Sequence, residues 1–171
     1  MNKETITLLA KYNQVVNQKM NAVIQTLNDE EWNRDLGGYF KSVRGAASHI
    51  YITDFTYLKR FGNLREFTTL RDPLFGETYA FKDLLFPSKD EYLVKQPALD
   101  NLINGIINEI TGDDLQGRLK YSDSTGKSIE FMFPAVIMQL FNHATHHRGA
   151  ISLYLELLGR DNDYSSFFAA L

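Results

Sequence analysis

Residues 142–149 read Asn-His-Ala-Thr-His-His-Arg-Gly and contain three of the four histidines in the 171-residue chain. His143 and His147 are four positions apart, which on an α-helix separates them by about 6 Å of rise and a turn of only roughly 40°. Apolar residues at helical spacing extend the same face in both directions: Val136, Leu140, Ile151 and Leu155. The pattern predicts a long helix from about Pro134 to Gly159, with both imidazoles on its inward stripe.

The fourth histidine, His49, lies in another helical pattern. That pattern follows Ser42, a plausible N-cap, and runs to about Phe61, with Gly62 as its stop. Three histidines from two helices can bind one divalent ion and leave a coordination position open, as catalytic sites do, whereas structural zinc sites are usually closed by four protein ligands. Hydrogen-bonded core histidines are the alternative that the spacing alone leaves open.

The remaining chemistry-bearing patterns are sparse. Because the chain has no cysteine, disulfides, thiol nucleophiles and thiolate metal sites are excluded, and any metal must have nitrogen and oxygen ligands. There is no H-E-x-x-H motif, no Glu-x-x-His pair and no glycine-rich phosphate loop. His146 lies about 100° around the helix from His147, so we expect it to support a ligand or pack between helices, with ligation as the alternative.

Length and composition are typical of one soluble globular domain spanning residues 1–171, which is 44% hydrophobic and 23% charged. The formal net charge is −3 and there is no Lys/Arg block, so nucleic-acid binding is not expected. Lys59, Arg60 and Arg65 are interpreted as a solvated helix end. The first residues lack the apolar run of a signal peptide, and no stretch approaches the roughly 20 apolar residues of a membrane span. We therefore expect a cytoplasmic protein that does not bind membranes.

The N-terminal part of the chain predicts a third long helix. Residues 3–27 carry apolar side chains at helical spacing. Asn13 and Asn17 lie close to that stripe. They either hydrogen-bond to neighbouring helices or line a polar cavity and orient metal ligands.

A fourth long helix is predicted from a capping box at Ser88 and Glu91 to about Ile110, with Pro97 marking a kink or a separate helix. Residues 117–133 alternate like a short hairpin or extended crossover around a turn at 123–126. Residues 63–87 form an irregular loop. Its aromatic side chains either wall a pocket or pack under the loop: Phe75, Tyr79, Phe81 and Phe86.

The histidine-rich segment resembles the fourth helix of the DinB/YfiT-like superfamily. The pattern of that helix is N-H-x-x-H-H-R-G-Q, followed by a leucine-rich run to a glycine. Residues 142–149 match it and the run ends at Leu158-Gly159, while Ala150 replaces the usual glutamine.

Two other segments extend the resemblance over nearly the whole chain. Tyr12-Asn13 with Asn17 is similar to the Y-N-x-x-x-N of the superfamily's first helix. The second helix has the pattern S-x6-H-x4-D-x-x-W-L, with tyrosine here in place of the tryptophan, and its counterparts are Ser42, His49, Asp54 and Tyr57-Leu58.

This resemblance implies an all-α four-helix bundle with up-down-down-up connectivity, with the hairpin or crossover between its third and fourth helices, and often a homodimer. It implies a divalent metal ion such as nickel, zinc, iron or manganese on His49, His143 and His147, with water in the open positions. Some members are similar to hydrolases, and others transfer groups with a low-molecular-weight thiol. In a chain without cysteine, that thiol would come from a cosubstrate.

We therefore expect a metal-dependent enzyme acting on a small molecule, either a hydrolase or a thiol S-transferase. The catalytic residues stay open. Candidates for acid–base or supporting roles are Asp54, Tyr57, Asn13 and Asn17. Two alternatives remain: a non-catalytic metal- or ligand-binding module of a stress response, and a metal-free helical interaction protein.

Overall fold

The computed structural model describes residues 1–123 and 125–170, so Ser124 of the predicted hairpin turn lies outside the described residues. Helices dominate the described part of the chain, which confirms a helical fold. The α-helices are α1 Lys3–Ile24, α2 Asp29–Asn33, α3 Val43–Phe61, α4 Lys89–Glu109 and α5 Phe133–Leu157. The antiparallel strands are β1 Arg118–Ser122 and β2 Ser128–Met132. None of the described helices is both long enough and apolar enough to span a membrane.

The four long helices pack against one another around a shared apolar core. α1 contacts α4 and α5, and α3 contacts the same two helices. Burying each large apolar side chain stabilises the fold by roughly 1.5–3 kcal/mol. The stripes predicted from the sequence supply much of this core, including Ile6, Met20, Ile50, Leu99, Ile103, Val136 and Leu155.

The helix starts depend on side-chain caps. Ser42 Oγ accepts a hydrogen bond from the Gly45 N–H at 3.1 Å, as its predicted N-cap role requires. At α4, the Ser88 hydroxyl accepts from the N–H of Asp90 and not from that of Glu91, the residue a capping box would use. α4 then continues through Pro97 as one helix.

The predicted hairpin is confirmed between α4 and α5, where Tyr121 pairs with Ile129. The hairpin contacts α5, and its first strand also contacts α3. The loop that follows α3 contains short 3-10 turns at Thr68–Arg71 and Pro73–Gly76. Phe75 and Phe86 are buried in the core, as the packing interpretation predicts, whereas Phe81 is partly exposed.

A buried polar layer crosses the core between α1, α4 and α5; it consists of Asn13, Asn17, Asp100 and Arg148. Arg148 Nη1 donates to Asn13 Oδ1 at 2.5 Å and to Asn17 Oδ1 at 3.2 Å. The amide nitrogens of the two asparagines donate to Asp100 Oδ1 at 3.3 and 2.9 Å. The asparagines therefore link a cation on α5 to a carboxyl group on α4.

Burial perturbs the carboxyl groups around this layer. It raises the pKa of Asp100 to about 7, and hydrogen bonds from Asn17 and Gln96 and the charge of Arg148 oppose the rise. Burial also raises the pKa of Asp54 well above its usual range; Asp100 adds to the rise and Arg148 opposes it. Asp54 is 1% exposed, and neither of its carboxyl oxygens has a hydrogen-bond partner among the described residues. Burial therefore favours the protonated form of both carboxyl groups, and the charge of Arg148 opposes it.

We expect the contribution of Asp100 to the free energy of unfolding to fall as pH rises from about 4 to about 7. The folded protein holds the Asp100 proton up to about pH 7, whereas the unfolded chain releases it near pH 3.8. The contribution of Asp100 to stability is therefore complete below its pKa in the unfolded chain. It is lost as pH rises through its pKa in the folded protein. Asp54 faces this group from α3, Arg148 from α5 and the two asparagines from α1, while Tyr92 shares its helix.

Asp100→Asn tests this expectation, because the amide keeps the Oδ1 acceptor and removes the titration. Urea unfolding in EDTA gives the change in the free energy of unfolding between about pH 4.5 and pH 7.5. This change should be less favourable to folding in the wild type than in Asp100→Asn, by roughly 2–4 kcal/mol. The histidines titrate in both proteins and so cancel in the comparison. Identical pH slopes for the two proteins would contradict the assignment.

Candidate metal centre

The three predicted ligand histidines converge at the boundary between α3 and α5. α3 carries His49, and α5 carries His143 and His147. One ring nitrogen of each lies within 4.8 Å of the corresponding nitrogens of the other two. His49 Nε2 and His143 Nε2 are 3.0 Å apart. Nitrogen ligands at 2.0–2.1 Å from a tetrahedral zinc ion are about 3.3 Å from each other, so small side-chain rotations would fit one ion.

Their environment keeps these imidazoles neutral. Burial, with smaller contributions from His147, His49 and His146, lowers the pKa of His143 to about 3. Burial, followed by His49 and His146, lowers the pKa of His147 to about 4. The pKa of His49 is lowered by burial as well. At pH 7 each ring therefore has a free nitrogen lone pair, which metal binding requires.

The ring of Phe40, from the connection between α2 and α3, covers part of the cluster. Its centroid lies 4.9 Å from that of His49 and 5.0 Å from that of His147. Gly45 makes this approach possible, because a Cβ atom there would overlap the Phe40 carbonyl oxygen. His146 is exposed and its ring packs against His147 at 4.7 Å. It thus packs on a ligand candidate and lies outside the three-nitrogen group.

Three surface cavities share His49. The largest, about 680 Å³, lies beside the loop that carries Phe81. The second, about 570 Å³, has largely apolar walls and includes His146, His147 and Ala150, the residue that replaces the superfamily's glutamine. The third, about 280 Å³, reaches the hairpin and also contains His143. The histidine cluster is therefore accessible to small molecules from more than one side.

The other candidate site residues divide into two groups. Tyr57 lines the third cavity together with His49. Asp54, Asn13 and Asn17 lie in the interior, where the two asparagines belong to the polar layer. The structure thus places Tyr57 in a cavity that His49 and His143 also line, and the other three within the core.

Arg60 was predicted to lie at a solvated helix end and was not among the candidate site residues. Arg60 is half-buried and lines the third cavity. A signal for this position was present, because eleven residues correspond to slightly more than three helical turns and place Arg60 on the same face of α3 as His49. Phe40 left no such signal, since it lies outside any helical repeat.

Comparison with known proteins supports the same elements. A family model described as the DinB family matches residues 1–165. The match includes all four long helices and all three clustered histidines. No curated protein and no solved structure gives a significant match to the chain.

Proposed function

The chain belongs to the DinB family, and we propose that it is a metal-dependent enzyme acting on a small molecule. His49, His143 and His147 would bind the divalent ion. The observation that supports the proposal most directly is the convergence of three neutral imidazoles where three cavities meet. A four-helix bundle with up-down-down-up connectivity is part of the same proposal, and it agrees with the contacts among the long helices.

The donor set bears on which ion and which chemistry are suitable. Imidazole nitrogens suit zinc, nickel and iron, whereas manganese prefers oxygen ligands. When bound, such an ion acts as a Lewis acid that polarises a substrate oxygen or lowers the pKa of a coordinated water or thiol. Three protein ligands leave room for a substrate in the coordination sphere.

The chain's own side chains around the cluster would bind and orient the substrate. Burial raises the pKa of Tyr57, with a further contribution from Tyr121 and opposition from Arg60. The Tyr57 phenol therefore keeps its proton at pH 7 and can donate a hydrogen bond to a substrate oxygen in the cavity. Phe40 shields one side of the cluster from water through its contacts with His49 and His147.

Between hydrolysis and transfer to a thiol, the cavities favour transfer. Because three cavities share His49, two molecules can approach the cluster from different directions. A thiol would be a low-molecular-weight cosubstrate, since the chain has no cysteine. Hydrolysis, which needs water as the second reactant, remains the other reaction class within the proposal.

Elemental analysis of tag-free protein is the experiment that tests the metal centre. We expect near-stoichiometric divalent metal in the wild type and almost none in His49→Ala or His147→Ala. The loss of affinity should exceed the roughly 10–100-fold that follows removal of an outer-shell partner. His146→Ala is the matched control and should retain its metal, because that ring lies outside the three-nitrogen group.

The possible results separate the alternatives. Equal metal loss in all three variants would refute the ligand assignment, provided that circular dichroism shows each variant folded. A wild type that acquires no metal on reconstitution would leave a metal-free helical module. Stoichiometric metal without turnover in hydrolysis and thiol-transfer screens would favour a non-catalytic metal-binding module.

A further inference from the structure

The third cavity, called here the α3 cavity, follows one face of α3 away from the histidines. His49, Thr53, Tyr57 and Arg60 all line it, at spacings of four, four and three residues. At 1.5 Å of rise per residue, the backbone positions of His49 and Arg60 are about 16 Å apart. The α3 cavity therefore has the candidate metal centre at one end and a guanidinium at the other.

Aromatic rings hold the Arg60 guanidinium in place. Its Cζ atom lies 4.3 Å from the ring centroid of Tyr121, 5.3 Å from that of Tyr57 and 6.0 Å from that of Phe81. Arg60 Nη2 also donates to the backbone oxygen of Ser122 at 3.3 Å. Such stacking pre-organises the planar group, so less side-chain entropy is lost when it binds an anion.

Arg60 has no carboxylate partner in the described part of the chain. Five other arginines form ion pairs there: Arg34, Arg65, Arg71, Arg118 and Arg160. Asp123 is a carboxylate that also lines the α3 cavity. Its Oδ1 accepts hydrogen bonds from the backbone N–H groups of Thr125 and Lys127 and from the Thr125 hydroxyl, so it serves the hairpin turn.

We infer that the α3 cavity binds substrates that carry a carboxylate, with Arg60 as the residue that selects it. The guanidinium fork matches a carboxylate in bidentate geometry. The rings of Tyr57, Tyr121 and Phe81 give the middle of the cavity an apolar wall, which suits an aromatic or aliphatic substrate body. This inference rests on the proposed function only in assuming that the other end of the substrate reacts at the histidines. Anion binding at Arg60 does not depend on a bound metal ion.

A pair of probes tests this inference: 3-phenylpropionate and its neutral amide, which share size and shape. Their dissociation constants would be measured by NMR titration with the full-length protein, both metal-loaded and stripped with EDTA. We expect the wild type to prefer the carboxylate by roughly 10- to 100-fold in both states. Arg60→Gln should lose this preference and still bind the amide, which also shows that the variant is folded. Arg118→Gln, which removes an exposed cation of β1, should keep it.

Three results would overturn the inference. They are the absence of binding by either probe, equal affinity of the wild type for acid and amide, and an acid preference that survives in Arg60→Gln. If the preference for the acid appeared only in metal-loaded protein and was unchanged in Arg60→Gln, the carboxylate would bind the metal ion and not Arg60. Metal content, measured on the same samples, reports on the proposed function separately, because carboxylate selection in stripped protein supports the Arg60 site with or without a metal centre.

Discussion

Replacing Gly45 with alanine is expected to destabilise the protein by about 3 kcal/mol or more. Gly45 lies in the first turn of α3, and an added Cβ would overlap the carbonyl oxygen of Phe40. That oxygen belongs to the backbone, so it cannot rotate away as a flexible side chain would. The chain around Phe40 must therefore shift, or the first turn of α3 must open and lose the hydrogen bond from the Gly45 N–H to Ser42.

The same substitution should weaken metal binding, because the displaced ring of Phe40 contacts His49 and His147. We expect a loss of affinity of roughly 10–100-fold, comparable to removal of an outer-shell partner. Gly149→Ala is the matched control: an added Cβ there meets nothing within 4 Å. Alanine has a higher helix propensity than glycine, so this control substitution should stabilise α5 by up to about 1 kcal/mol. Urea unfolding and competitive metal titration measure both effects, and an unchanged stability of Gly45→Ala would contradict the predicted overlap.

Arg148→Met is expected to cost about 3–5 kcal/mol, because it removes the cation of the polar layer and leaves its partners buried. Asn13 and Asn17 each lose a hydrogen bond from Arg148 Nη1. Asp100 loses the positive charge that opposes the rise in its pKa. An uncompensated buried polar group costs more than the net contribution of the original hydrogen bond, so the effect should be large.

The cost of Arg148→Met should also increase with pH. Arg148 opposes the rise in the pKa of both Asp54 and Asp100. Without Arg148 the two carboxyl groups of the folded protein stay protonated to higher pH, so the variant loses stability over a wider pH interval. Arg118→Met is the control, since Arg118 and Glu130 form an ion pair with 55% and 46% of their side-chain surface exposed. That change should cost less than about 1 kcal/mol. Urea unfolding at about pH 5 and pH 8 would contradict the interpretation if the two variants behaved alike.

Periodicity and capping predicted much of the helical fold because these signals are local. Ser42 could be identified as an N-cap from its own residue type, and His143 and His147 share a face through their spacing alone. The approach of His49 to them is a tertiary contact, for which the sequence offered only an inward position on another helix and a family resemblance. The structure brings the three together within 4.8 Å.

Other features depend on partners that no local pattern identifies. Asp100 lies beside the apolar stripe of α4, between Leu99 and Ile103, but nothing along α4 indicates that two asparagines link it to an arginine on α5. Phe40 reaches the histidines from a non-helical connection in which Lys41 has a φ of 67°, a left-handed conformation that is uncommon for a residue with a side chain. Arg60 shares a face with His49, yet a charged residue at a helix end usually indicates solvent exposure.

The polar layer also restricts which alignments of the long helices are possible. Apolar stripes are non-directional, so one helix could slide along another with little change in buried area. A shift of α5 by one turn, about 5.4 Å, would move Arg148 away from both asparagines. Its guanidinium would then be buried without those hydrogen-bond partners. Compact states with α5 misaligned therefore have a higher free energy than the native state. One residue, Arg148, thus distinguishes the native alignment from others that bury similar apolar area. The same alignment of α5 fixes the position of His143 and His147 along the helix axis, so that both lie next to His49 on α3.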